Sequence, residues 1–247
     1  MRILLLGGTT EAGMMAATLA EARLDAVYSY AGRTDNPVRQ PLPQRTGGFG
    51  GIAGLVSYLQ GEAITHIIDA THPFAAEMSR NAIAACAITG TALIALERKP
   101  WSPQPGDKWQ AVPDIDACLA ALPHAATRIF AAIGRQNLAA FAAHPQHHYL
   151  LRLVDAPATL PLPNAEAVIA RGPFTLESDL DLLKSQRIQL IIAKNSGGTG
   201  ARAKLDAARL LGLPVIMIDR PKIPPRQSVE SVAEVLDWLG HPALRGV

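Results

Sequence analysis

Cysteine is nearly missing from this chain: two, Cys86 and Cys118, in 247 residues. There is no CxxC pair and no Cys/His cluster, which excludes a disulfide scaffold and a thiolate metal site. Both cysteines sit in Ala-rich helical patterns and read as small core residues of a reduced compartment. Long apolar runs are missing as well. None approaches the ~18 residues of a membrane span. The N-terminal run Ile3–Leu6 is too short for a signal peptide and goes straight into glycines. A soluble, cytoplasmic protein is expected. Charge is sparse, at 18 % of residues and +2 net. The basic residues form no run and are not interleaved with aromatics, so nothing points to nucleic acid.

What is present is ample core material, 49 % apolar residues, in a length that suits one large or two small domains at roughly 100–200 residues each. Arg outnumbers Lys by 17 to 6. The planar guanidinium fork matches carboxylates and phosphates, although a compositional bias in an Ala-rich chain accounts for the ratio equally well.

Short aliphatic runs alternate with Ala/Leu-rich helical stretches from end to end. Strands are expected at Ile3–Leu6, Ala26–Ala31, His66–Ala70, Ala92–Leu96, Arg128–Ala132, His148–Leu153, Ala167–Ala170, Leu190–Ala193 and Val215–Ile218. Helices are expected at Ala12–Glu21, Ile52–Gln60, Ala75–Ala87, Ile115–Leu122, Leu138–Ala142, Phe174–Lys184, Ala201–Leu211 and Val229–Leu239. Continuous aliphatic strands separated by helices indicate parallel sheets covered on both faces. The segment Glu97–Trp109, with three prolines and a glycine, marks a boundary. The expected organisation is therefore α/β, in two domains at 1–98 and 99–247. Open sheets of this kind bind ligands at the carboxyl ends of their strands, so a ligand cleft between the domains is expected.

The first strand ends at Gly7-Gly8, and a helix follows with Thr9, Thr10 and Glu11 at its start. Glycines allow close backbone approach, and a helix N-terminus attracts phosphate. An ordinary tight turn with a threonine cap is the alternative. The second strand ends in Ser29-Tyr30-Ala31-Gly32-Arg33-Thr34. An acid at this place in a dinucleotide fold favours NAD, whereas Arg accommodates the extra phosphate of NADP. Arg45-Thr46-Gly47-Gly48-Phe49-Gly50-Gly51 follows, a loop with little side chain of its own and suited to backbone contact with a ligand. Together these stretches favour NADP. At the fourth strand end, Asp69-Ala70-Thr71-His72-Pro73 holds His72 extended before a proline that opens the next helix. Three roles suit His72, namely phosphate binding, orientation of a nicotinamide and proton donation; capping of its own loop is the plainer reading.

These motifs resemble the precorrin-6A reductase family of cobalamin biosynthesis over the full length. The resemblance rests on GGTTEA (7–12), YAGR (30–33), RTGGFGG (45–51), DATHPFA (69–75), ERKPW (97–101), GRQN (134–137), AKNSGGTGARAKLDAA (193–208) and LPVIMIDRP (213–221), in family order and spacing. It implies two Rossmann-like domains, the first binding NADPH and the second closing over cofactor and tetrapyrrole. The implied reaction is NADPH-dependent reduction of one macrocycle double bond, precorrin-6A to precorrin-6B, without flavin or metal. The cobalt-containing substrate, another anionic acceptor and a non-catalytic NADP-binding sensor remain as alternatives.

Carried onto matching positions, Gly8, Thr9, Thr10 and Glu11 would surround the pyrophosphate. Ser29 and Arg33 would meet the adenosine ribose and its phosphate. Gly48, Gly50 and Gly51 would give backbone contact, with Thr71 and His72 near the nicotinamide. Lys194, Asn195 and Ser196 stand where a strand runs into a glycine-rich stretch expected to open another helix, and they are expected to close over the cofactor or macrocycle and to bind substrate. The substrate's carboxylates would engage Arg98, Arg135, Lys194 and Lys204, and Trp101 or Trp109 offers apolar surface under the ring. His72 and Lys194 are the candidate proton donors, with solvent a third source.

Overall fold

The computed structural model describes residues 1–32 and 37–240. In chain order it contains β1 (Ile3–Leu6), α1 (Thr10–Glu21), β2 (Ala26–Tyr30), β3 (Gln44–Thr46), α2 (Gly51–Gly61), β4 (His66–Asp69), α3 (Ala76–Thr89) and β5 (Ala92–Leu96). Then follow β6 (Lys108–Val112), α4 (Ile115–Ala120), β7 (Arg128–Ala132), a 3-10 helix (Arg135–Ala143), β8 (His148–Leu153) and β9 (Ala165–Ile169). The chain ends with α5 (Leu176–Ser185), β10 (Leu190–Lys194), α6 (Ala203–Leu211), β11 (Pro214–Ile218), β12 (Ser228–Val229) and α7 (Val232–Trp238).

Two compact units result: Met1–Lys99 with Lys222–Val247, and Pro100–Pro221. The first unit is thus built from two separate stretches of the chain, and the second from one continuous stretch. Residues 222–240 return to the first unit, because β12 pairs in parallel with β5 and Val235 and Leu236 of α7 join the core under α1. A two-residue strand with no apolar run carries too little pattern to be read in advance.

The first sheet has the order β12-β5-β4-β1-β2-β3 and is parallel throughout. Counted from its other edge it is the 3-2-1-4-5-6 arrangement of a Rossmann-like sheet, with the change of direction between β1 and β4. The second sheet, β6-β11-β10-β7-β8-β9, is also parallel throughout. Its spatial order is the same, except that the sixth place is filled by the unit's first strand. Its change of direction lies between β7 and β10.

Why β1 is an unbroken aliphatic run is visible in its packing. Ile3 and Leu5 enter the core on the α1 face, with Met15 and Leu19. Leu4 and Leu6 enter the opposite core, with Leu55, Leu59, Ala82 and Ala85 of α2 and α3. A strand buried on both faces has no polar side to alternate, and each such side chain contributes roughly 1.5–3 kcal/mol. In the second unit Ile191 and Ala193 of β10 pack with Leu183 and Leu205 of α5 and α6. Of the twelve strands among the described residues, β3, β6 and β12 lie outside the nine expected. All three are edge strands with polar or mixed sequence.

Candidate functional site

The stretch after β1 is built differently from a simple cradle. A side chain at Gly7 would place its Cβ 2.1 Å from Tyr28 Cζ, so this glycine makes room for the tyrosine ring rather than for a ligand. The Gly8 amide donates to Tyr28 Oη at 2.9 Å. Gly8 itself has φ +116 and open space where a Cβ would stand, a conformation that favours glycine. Thr9 is the N-cap of α1: its hydroxyl accepts from the Ala12 amide at 3.1 Å and donates to the Ala70 carbonyl at 2.8 Å. One hydroxyl therefore caps the helix and buckles the ends of β1 and β4 together. The amides of Thr10 and Glu11, in the first turn of α1, have no intrahelical acceptor.

Glu11 is paired. Arg98, just after β5, meets its carboxylate at 2.7 Å, with both side chains 19 % exposed. The pair neutralises a carboxylate at a helix end that otherwise favours anions. Thr9, Glu11, Thr71, Pro73, Leu96, Glu97 and Arg98 line one shallow depression at the carboxyl ends of β1, β4 and β5. This is the change-of-direction point, where open α/β sheets hold their ligands.

Asp69 organises the neighbouring loop. Its carboxylate accepts from the Thr71 amide and hydroxyl at 3.2 and 2.7 Å and from the Ser79 hydroxyl at 2.7 Å. Arg226, from the returning segment, lies 3.4 Å from Asp69 and 3.2 Å from Glu97. Neither Asp69 nor Arg226 is among the site residues expected from the sequence; the signal for Asp69 is a carboxylate ending an aliphatic strand, which must find donors once buried. Pro73 does not open α3, which begins at Ala76. It occupies a tight turn closed by the Ala75 amide donating to the His72 carbonyl at 2.7 Å, where proline is favoured at the second position. His72 Nδ1 accepts from the Phe74 amide at 3.2 Å, so the neutral ring carries its proton on Nε2.

At the β2 end, Ser29 is buried and its hydroxyl accepts from Arg45 Nη1 at 2.7 Å. The Arg33 position lies outside the described residues. In the loop before α2, Gly47, Gly50 and Gly51 have φ values of +117, +80 and +80. No atom stands within 4 Å of a Cβ built at these positions or at Gly48. The loop is thus an open cradle of backbone, and Phe49 beneath it packs edge-on to Tyr58 at 5.1 Å.

In the second unit, β7 and β10 bring Gly134-Arg135 and Lys194 to one sheet edge, with Ala132 beside Ala193. Arg135 is exposed and Lys194 half-buried. Asn195 and Lys204 are built otherwise than as exposed carboxylate ligands. Asn195 Oδ1 accepts from the Trp101 amide at 2.7 Å and Nδ2 donates to the Trp101 carbonyl at 3.0 Å. The Lys204 ammonium is buried, donates to the Ala201 carbonyl and lies 4.9 Å from the Trp101 ring centre. Trp101 Nε1 donates to the Gly198 carbonyl at 2.6 Å. The Asn195 and Ser196 carbonyls accept from Arg220 at 3.0 and 3.1 Å. These residues fasten Trp101 and the glycine-rich stretch to the sheet. Helix α6 starts only at Ala203, without a side-chain cap. Gly197 and Gly198 therefore lie in a connection, at φ +70 and +72, and not at the helix end expected from the sequence. Trp109 is half-buried in the same core.

Among the described residues no helix is long and apolar enough to cross a membrane, and no group of three or more His, Cys, Asp or Glu is arranged to hold a metal ion.

Two Rossmann-like parallel sheets, the first with a threonine-buckled turn and an open glycine cradle at its change of direction, define the class of this protein. Within that class the chain belongs to the precorrin-6x reductase CbiJ/CobK family, whose model matches residues 2–240. It is 62 % identical to a precorrin-6A reductase of Rhodobacter capsulatus, covering 100 % of this chain and 99 % of that one. A cobalt-precorrin-6A reductase of Priestia megaterium is 30 % identical, over 90 % of this chain and 91 % of the other. A solved structure described as CobK precorrin-6A reductase matches with a TM-score of 0.94 at 61 % identity, covering 100 % and 99 % of the two chains.

Proposed function

We propose that this chain is an oxidoreductase acting on a CH–CH group, which uses NADPH to reduce one double bond of precorrin-6A to give precorrin-6B in cobalamin biosynthesis. The observation that carries the reading is 62 % identity along the entire chain to an enzyme named for that reaction. The lower identity, 30 %, to an enzyme named for the cobalt-bearing substrate favours the metal-free macrocycle.

The residues of the first unit fit a dinucleotide. The first-turn amides of α1 suit a pyrophosphate, and pairing of Glu11 with Arg98 removes the charge that would oppose it. Gly8, Gly48, Gly50 and Gly51 leave open backbone where a Cβ would otherwise intrude. Ser29, with Arg33 nearby in sequence, suits the adenosine ribose. A bound nicotinamide supplies a hydride. The chain's own part is to fix the reacting partners and exclude water. Asp69 does so by holding Thr71 through its amide and hydroxyl, and His72 is set by the turn that Pro73 makes. His72 Nε2 and the Lys194 ammonium are the proposed proton donors. Arg135 and Lys194, at the edge of the second sheet, are the proposed ligands for the macrocycle's carboxylates, while Asn195, Ser196 and Lys204 support Trp101 and its loop.

The test is turnover of precorrin-6A with NADPH deuterated at the nicotinamide C4. The reading predicts a product heavier by one deuterium and one solvent hydrogen. A product without cofactor deuterium under either C4 labelling contradicts it.

A further inference from the structure

Arg45 is placed as a cation in need of an anion. It lies in β3, directly beside Ser29 in the parallel register of β2 and β3. Its guanidinium donates to the Ser29 hydroxyl at 2.7 Å and to the Gly47 and Gly48 carbonyls at 2.9 and 3.2 Å. All three acceptors are neutral. One face of the guanidinium covers the Phe49 ring, 3.8 Å from its centre, and Tyr58 stands at 5.2 Å. Among the described residues no carboxylate pairs with it. Partial burial lowers its pKa from the ordinary arginine value, with the phenol of Tyr58 acting in the opposite sense. A half-buried, fixed charge with no counter-ion among the described residues is costly unless a ligand supplies one.

The anion that fits follows from the position. The carboxyl end of the second strand of a Rossmann-like sheet meets the adenosine ribose. The open glycines Gly47, Gly48 and Gly50 adjoin the guanidinium in sequence and leave room for a ligand. Helix α2 starts immediately after them, with Gly50 as N-cap and no side-chain cap bond, so its first amides also favour negative charge. Carbonyls and a hydroxyl hold the planar fork in one orientation, which suits bidentate contact with a phosphate monoester.

We infer that Arg45 binds the 2′-phosphate of the adenosine ribose and is a determinant of NADPH over NADH, distinct from the Arg33 position. This rests on the reading of the first unit as the NADPH site.

The test is calorimetric binding of adenosine 2′,5′-bisphosphate and of adenosine 5′-monophosphate to the full chain, with no turnover required. The wild-type protein is expected to prefer the bisphosphate. Arg45→Gln, which keeps donors toward Ser29 but removes the charge, should weaken the bisphosphate about ten- to hundredfold, the range of a hydrogen bond to a charged group. Monophosphate binding should be unchanged. If Arg45→Gln does not fold, Arg45→Lys serves, with a selective loss of about tenfold expected because an ammonium cannot form the fork. A folded variant that keeps the wild-type preference overturns the role of Arg45 while leaving the NADPH reading intact. Wild-type protein that binds neither nucleotide overturns both.

Discussion

Tyr28 fills the space that a side chain at Gly7 would need, and its hydroxyl accepts the amide proton of Gly8. The first glycine of the opening motif is thus a packing requirement, and the second supplies the left-handed turn. Burial pushes the Tyr28 phenol well above its ordinary pKa, so it stays protonated throughout the working range. Gly7→Ala should cost at least about 1–3 kcal/mol through overpacking. Tyr28→Phe, which only removes the acceptor, should cost about 1 kcal/mol. Urea unfolding of both variants checks the order.

Arg152 and Asp179 form a bidentate pair in the second unit with side chains 9 % and 1 % exposed. The guanidinium also lies 4.1 and 4.8 Å from the Phe174 and Phe130 ring centres. Removing one partner of such a pair strands the other charge, so Asp179→Ala should lose about 3–5 kcal/mol. The double change Arg152→Met with Asp179→Leu should recover most of that loss. A single variant as stable as wild type would mean that the charge stays solvated.

His147 is fully buried, and among the described residues neither of its ring nitrogens has a hydrogen-bond partner. Burial, and then the neighbouring His144, lower its pKa. The folded protein therefore takes up this proton at lower pH than the unfolded chain, which does so below about pH 6.5. Its contribution is complete above that pH and is lost as pH falls toward the folded-state value, by at most about 1.4 kcal/mol per pH unit. His66, lowered mainly by burial, acts in the same sense. His147→Phe should therefore flatten the fall in Tm between about pH 6.5 and 5 without removing it. An unchanged slope would contradict the assignment.

The two proposed proton donors separate kinetically. His72→Ala or Lys194→Ala, whichever removes the donor, should lower kcat by roughly 100-fold or more with NADPH affinity kept. The other should leave kcat nearly unchanged. Unchanged turnover in both would assign the proton to solvent.

The architecture was legible because its signals are local. Ile3–Leu6 and Leu190–Ala193 are aliphatic runs with no polar face, and only a two-sided burial explains them. The glycine-rich turns were legible as turns after strands, whereas the strand order, and with it the change-of-direction point between β1 and β4, comes from the pairing of the strands. Long-range partners were not legible. Nothing near Asp69 in sequence announces Arg226, which arrives through the return of the chain beside β5. Lys204 is expected from the sequence to meet the substrate's carboxylates, yet it is buried beside Trp101. Asn195 similarly looks like a ligand-facing amide until its two bonds to the Trp101 backbone are seen.

The most direct measurement is precorrin-6A-dependent oxidation of NADPH by the purified chain, with NADH and cobalt-precorrin-6A in parallel. The prediction is turnover with NADPH and the metal-free macrocycle, with a much lower kcat/KM for NADH. Tight NADPH binding without oxidation on addition of precorrin-6A would contradict it.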